Sequence, residues 1–120
     1  MKKLKLIGIK KGWFGREIQK IVADIYVQDG KVVVESKDQK EKEKLQKAIN
    51  DRLEYPGAFG IRKSRDIKDK RGIVTELYQI TQKPGDPQFL EALTSAFGFW
   101  HDKKFGDYQI IPTISKIIEE

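Results

Sequence analysis

Cysteine is absent from this 120-residue chain, and histidine, methionine and asparagine each occur once. The lack of cysteine excludes disulfides, thiolate zinc sites and cysteine nucleophiles. A single histidine, His101, excludes a histidine metal cluster. A catalytic triad would need Ser36, Ser64, Ser95 or Ser115 brought to it, and none sits in a recognisable nucleophile motif. His101 beside Asp102 therefore reads as an exposed loop residue. Long apolar runs are missing as well. The N-terminus MKKLKLIGIKKG begins as a signal peptide does, but Lys5 interrupts its short apolar run. No stretch reaches the ~20 apolar residues a membrane helix needs. The expectation is a cytoplasmic protein with no membrane partner.

What is abundant is charge, at 35% of residues with a net +6. Together with the scarcity of Asn, Met and Cys, this is the direction in which hyperthermophile proteins lean. The charge is unevenly spread. Residues 1–20 hold seven basic groups against one acidic, and residues 55–72 hold six against two. The remaining segments are slightly acidic. Such an asymmetric field steers polyanions more than the same charge spread evenly.

The length fits one domain spanning residues 1–120. KLKLIGI, residues 3–9, reads as a first strand with Gly8 as a bulge. KKGWFGR follows as a loop. From Ile21 the alternation is clear, and Asp29-Gly30 is the dipeptide a type I′ turn requires. A two-residue loop places Gln28 opposite Lys31, Val27 opposite Val32, Ile25 opposite Val34 and Asp24 opposite Glu35. Ala23, Ile25, Val27, Val32 and Val34 then form a core face. Ser36 or Asp38 caps a helix running to about Leu53, with Leu45, Ala48, Ile49 and Leu53 as its apolar stripe. Ala58–Arg62 and Ile73–Thr81 read as strands on either side of the basic loop RKSRDIKDKRG. Asp86-Pro87 reads as the start of a second helix carrying Phe89, Leu90, Leu93, Phe97 and Trp100. YQIIPTIS reads as a last strand. The expected fold is α+β, a mainly antiparallel sheet with two long helices packed on it, in the order β-β-β-α-β-β-α-β.

Two constellations carry chemistry. Asp24 and Glu35 are like charges directly opposite one another, which costs a few tenths of a kcal/mol or more unless compensated. Compensation comes from Lys31, Lys37 or water, or from a divalent metal, for which two carboxylates are suitable hard ligands. Asp24, a turn and then Glu35-Ser36-Lys37 resembles the catalytic hairpin of PD-(D/E)XK nucleases, over 14 residues. Ala23 stands where that family usually has proline. The resemblance implies a magnesium site at Asp24 and Glu35, with Lys37 completing the catalytic set.

The second constellation joins the two basic segments. Lys10, Lys11 and Arg16 surround Trp13 and Phe14, and Arg62, Lys63, Arg65, Lys68, Lys70 and Arg71 crowd the later loop. Lysine and arginine contact phosphates, and exposed aromatics stack on bases. The competing expectation is that Trp13 and Phe14 plug one end of the core and that residues 62–72 are a solvated hairpin tip. The favoured reading is a binding module without enzymatic activity or cofactor, with a nucleic acid as its partner. The alternatives are a magnesium-dependent nuclease and a protein-assembly or homo-oligomerising module that binds through exposed aromatics.

Overall fold

The computed structural model describes residues 1–55, 59, 63–68, 71–72, 74–79 and 83–120, the segments 63–68 and 74–79 as backbone. The fold is α+β, built on a curled antiparallel sheet. Strands β1 (Lys2–Lys11), β2 (Glu17–Gln28) and β3 (Lys31–Glu35) form a meander. The β2–β3 register is Gln28↔Lys31, Val27↔Val32, Ile25↔Val34 and Asp24↔Glu35, as the turn dictates. Asp29 and Gly30 both take positive φ, 53° and 73°, which is what a two-residue loop of this hand needs. Ala23, Ile25, Val32 and Val34 are buried, with Val27 packed beside them.

Helix α1 (Gln39–Leu53) begins at Asp38, whose carboxylate accepts the Glu41 N–H at 3.1 Å. Its buried Leu45 and Ile49 lie in the core with Ala48 and Leu53 beside them. Gln46 closes the free edge of β3. Its side-chain carbonyl accepts the Val34 N–H and its amide donates to the Val32 carbonyl, each at 2.8 Å. One glutamine thereby makes two of the bonds that a further strand would have made, which protects an edge otherwise open to pairing.

Strands β4 (Lys63–Lys68) and β5 (Val74–Gln79) form a separate antiparallel hairpin. Most of the basic segment expected as loop is thus strand, because six residues find a complete ladder in β5. The expected strand at 58–62 lies outside the described residues apart from Phe59, which is fully buried and meets Phe89 and Phe99 edge-on.

The second long helix is not formed. Helix α2 (Phe89–Thr94) and helix α3 (Phe97–Trp100) are separated at Ala96, whose ψ of 64° is not helical. The break leaves Leu93 without the bond a continuing helix would give its carbonyl from the Phe97 N–H. The Trp100 indole N–H donates to that carbonyl instead, at 2.6 Å. Trp100 is consequently buried, whereas Phe97, at the same helical spacing in the sequence, is 60% exposed. The helix also starts at Phe89, after the expected Asp86-Pro87 start. Asp86 makes a local turn, accepting the Gln88 N–H at 2.9 Å.

The C-terminal chain returns to β1. Strands β6 (Lys104–Phe105) and β7 (Tyr108–Ile110) form a small hairpin, and β8 (Lys116–Glu119) follows. The edge of β1 away from β2 is shared, by β8 along Lys2–Lys5 and by β7 at Gly8 and Ile9. At the change-over, Ser115 Oγ accepts the Ile7 N–H at 3.0 Å and Ile111 N donates to the Ile7 carbonyl at 2.9 Å, so the ladder has no gap. The bulge expected at Gly8 falls one pair earlier, between Leu6 and Ile7, where Val22 is the extra residue on β2. No helix among the described residues is long and apolar enough to cross a membrane.

Candidate nucleic-acid interface

β1 and β2 are longer than the alternation suggested, and their far ends make an arm. β3 pairs with β2 only from Asp24 onward, while β1 pairs with it back to Glu17. Every residue from Trp13 to Ile21 is exposed. At the tip the Gly12 N–H donates to the Arg16 carbonyl at 2.6 Å, closing a 3-10 turn over Trp13–Gly15. Phe14 sits in the left-handed region at φ 60°, ψ 26°, and Gly15 follows at φ 75°. For a residue with a Cβ this costs roughly 1–2 kcal/mol. Among the described residues nothing offsets it through Phe14, which is 101% exposed, with Trp13 at 88%. The expectation that these two aromatics plug the core is therefore corrected. The arm carries them past the last strand that could cover them.

The cations are arranged behind the tip. Lys11 and Arg16 are exposed beside it. The ammonium groups of Lys10 and Lys20 lie over one ring, that of Tyr108, at 5.0 and 4.8 Å from its centroid. Tyr108 reaches them across Gly8, the partner of Lys20 in the ladder. Lys20 and Tyr108 had no individual signal in the sequence, because the ring contact joins three strands. Of the later segment, Lys63, Arg65 and Lys68 lie on β4, Arg71 is exposed at its tip, and Arg62 and Lys70 lie outside the described residues.

The carboxylate pair is where the hairpin register puts it, and its surroundings come from β1. Lys5 is the cross-strand partner of Asp24. Its ammonium lies 2.7 Å from Asp24 Oδ2 and 2.7 Å from Glu120 Oε1. The Tyr26 hydroxyl donates to Glu35 Oε1 at 2.6 Å. The two like charges are thus held by Lys5 and Tyr26, rather than by Lys31 or Lys37. β3 ends at Glu35, so Lys37 stands off the strand, beyond Ser36, whose hydroxyl donates to the Val22 carbonyl at 2.8 Å. Asp24, Glu35 and Lys37 nevertheless line one groove of about 850 Å³, together with Lys20 from the base of the arm and Tyr108 from β7. Among the described residues, no group of three or more histidine, aspartate or glutamate side chains is placed to hold a metal ion.

These contacts shift three titrations. The hydrogen bond to Glu35 holds the Tyr26 phenol above its ordinary value, and the bond to Asp24, then that to Glu120, does the same for the Lys5 ammonium. The Lys5 bond holds the Glu120 carboxyl below its ordinary value. A raised Tyr26 favours the folded state below pH ~10, and that contribution is lost as pH rises through the folded value. The contribution of Lys5 has the same sign, while that of Glu120 is lost on acidification. We expect stability to be level between these limits and to fall on the alkaline side. Tyr26→Phe should flatten part of that alkaline fall, and it should remove from an ultraviolet pH titration a phenol that ionises above the ordinary tyrosine value. An unchanged titration would show that the Tyr26–Glu35 bond does not persist in solution.

Comparison with protein-family models, with curated proteins and with solved structures finds no match for this chain.

Proposed function

We propose that this chain is a nucleic-acid-binding module, without enzymatic activity of its own, that engages its ligand through the β1–β2 arm. The observation that carries the reading is the full exposure of Trp13 and Phe14 at the tip of an arm whose flanking side chains are Lys10, Lys11, Arg16 and Lys20. Glu17 is the sole acid in residues 1–20. Cations of this density bind phosphates by releasing counterions, and free aromatic rings add contact with bases. The basic β4–β5 hairpin supplies further phosphate contacts in this reading.

The test is the salt dependence of binding to a fluorescent oligonucleotide. Replacing Lys10, Lys11, Arg16 and Lys20 by alanine should lower the log–log slope by about 0.9 per lost contact on duplex DNA, or about 0.7 on a single strand. An unchanged slope would overturn the assignment of the arm. Salt-independent self-association that is lost in Trp13→Ala would favour the protein-assembly reading.

The nuclease reading is second. In its favour, Asp24, Glu35 and Lys37 share a groove with Lys20 of the arm. Against it, magnesium would have to displace the Lys5 ammonium from Asp24. Magnesium-dependent cleavage that disappears in Asp24→Asn would put it first.

A further inference from the structure

The exposure of the tip rings distinguishes two ways of meeting bases. A ring that serves as a platform for single-stranded bases lies against a sheet, with one face covered by protein and the other offered to one base. Tyr108 is held in that manner, half-buried on the sheet with two ammonium groups over its ring. Phe14 is held in the opposite manner. At 101% exposure both of its faces and its edge are open. On a nucleic acid, a ring presented so covers both faces by entering between two bases.

We infer that the arm recognises duplex nucleic acid by inserting Phe14 into a base step, with Trp13 beside it, and thereby kinks the duplex. The inference rests on the nucleic-acid reading above. The spacing of the arm agrees with it. Lys11 lies three residues before Phe14 and Arg16 two after. At about 3.3 Å per residue the cations stand at most about 7–10 Å behind the ring. Duplex grooves are about 7.5–8.5 Å deep. With the ring at the groove floor, the cations reach the rim, where the phosphates are. The strained backbone has the same explanation. Left-handed φ at Phe14 projects the ring off the end of the arm, and the tip is closed behind it by the Gly12–Arg16 bond. Sterically strained residues persist where their conformation serves a ligand. Apolar wedges that unstack a base step bend the duplex by about 20–90°.

The experiment uses the full chain and a duplex DNA of about 20 base pairs, labelled at both ends for energy transfer. A second duplex carries a central mismatch, which lowers the cost of unstacking. Saturating wild-type protein should shorten the end-to-end distance, and the mismatched duplex should bind more tightly. Phe14→Ala should bind about fivefold to a hundredfold more weakly. At saturation it should no longer bend the duplex or prefer the mismatch, while its salt slope stays unchanged because no cation is lost. Phe14→Gly, which relieves the left-handed strain, should behave likewise with an equal or higher Tm. This separates loss of the ring from loss of the fold. Bending that survives in both variants, or tighter binding to a single strand than to either duplex, would overturn insertion. Absence of binding to any of these nucleic acids would overturn the functional reading itself. Binding with a normal salt slope but no bend dependent on Phe14 would overturn insertion alone.

Discussion

Trp100→Ala should destabilise the protein by about 3–5 kcal/mol, the range for truncating a large buried aromatic. Trp100 is 2% exposed, and its ring packs edge-on against Phe99, with centroids 4.7 Å apart. Its indole N–H also satisfies the Leu93 carbonyl at the break between α2 and α3. Truncation therefore leaves a cavity and takes from the Leu93 carbonyl its 2.6 Å donor, leaving it the longer 3.3 Å bond from the Ala96 N–H. Trp100→Phe keeps much of the volume and loses the donor, so it should cost less, about 1–3 kcal/mol. Thermal unfolding reads both, and the alanine variant should lower Tm by roughly 10–20 °C. A loss under about 1 kcal/mol would mean that α2 and α3 can rejoin as one helix and restore the carbonyl's bond.

Gly8→Val should cost about 3 kcal/mol or more, at or beyond the usual limit for overpacking. A Cβ at this position would stand 2.7 Å from the Tyr108 Cβ and 2.9 Å from a Val22 methyl. The Tyr108 Cβ is attached directly to β7, so the clash cannot be relieved by a rotamer change. β7 must move away, and it is paired to β1 only at Gly8 and Ile9. The variant should accordingly lose both stability and the seat that Tyr108 provides for Lys10 and Lys20. Its denaturation midpoint should fall and its nucleic-acid affinity should weaken at temperatures where it is still folded. Gly8→Ala should fall in between. Full stability in Gly8→Val would show that Tyr108 does not cross this strand.

Both variants lie where sequence reasoning was weakest. Phe89, Leu90, Leu93, Phe97 and Trp100 have the spacing of one helical stripe, yet the chain breaks at Ala96. The indole hydrogen bond and the aromatic cluster with Phe59 outweigh a turn of helix, and neither is visible in a periodicity. Gly8 carries a bulge signal in the sequence, but its real constraint comes from a tyrosine 100 residues later. The candidate site divides in the same way. The basic and aromatic residues of 10–16 were legible as a cluster. Their exposure was not, because it depends on where β3 stops beside β2.

The sequence by itself determined the β2–β3 hairpin, with Asp24 opposite Glu35, and helix α1 with its buried stripe and a cap at Ser36 or Asp38, of which the structure selects Asp38. Both are local decisions. A two-residue turn admits one register, and a capping carboxylate acts within three residues of itself. Tertiary structure alone decided that Lys5 and Tyr26 hold the carboxylate pair, that Lys10 and Lys20 share the Tyr108 ring, and that Trp13 and Phe14 stand uncovered at the end of an arm. Each of these depends on which strand lies beside which across many residues. No turn, cap or alternation encodes that pairing, because it is set by the packing of the whole sheet.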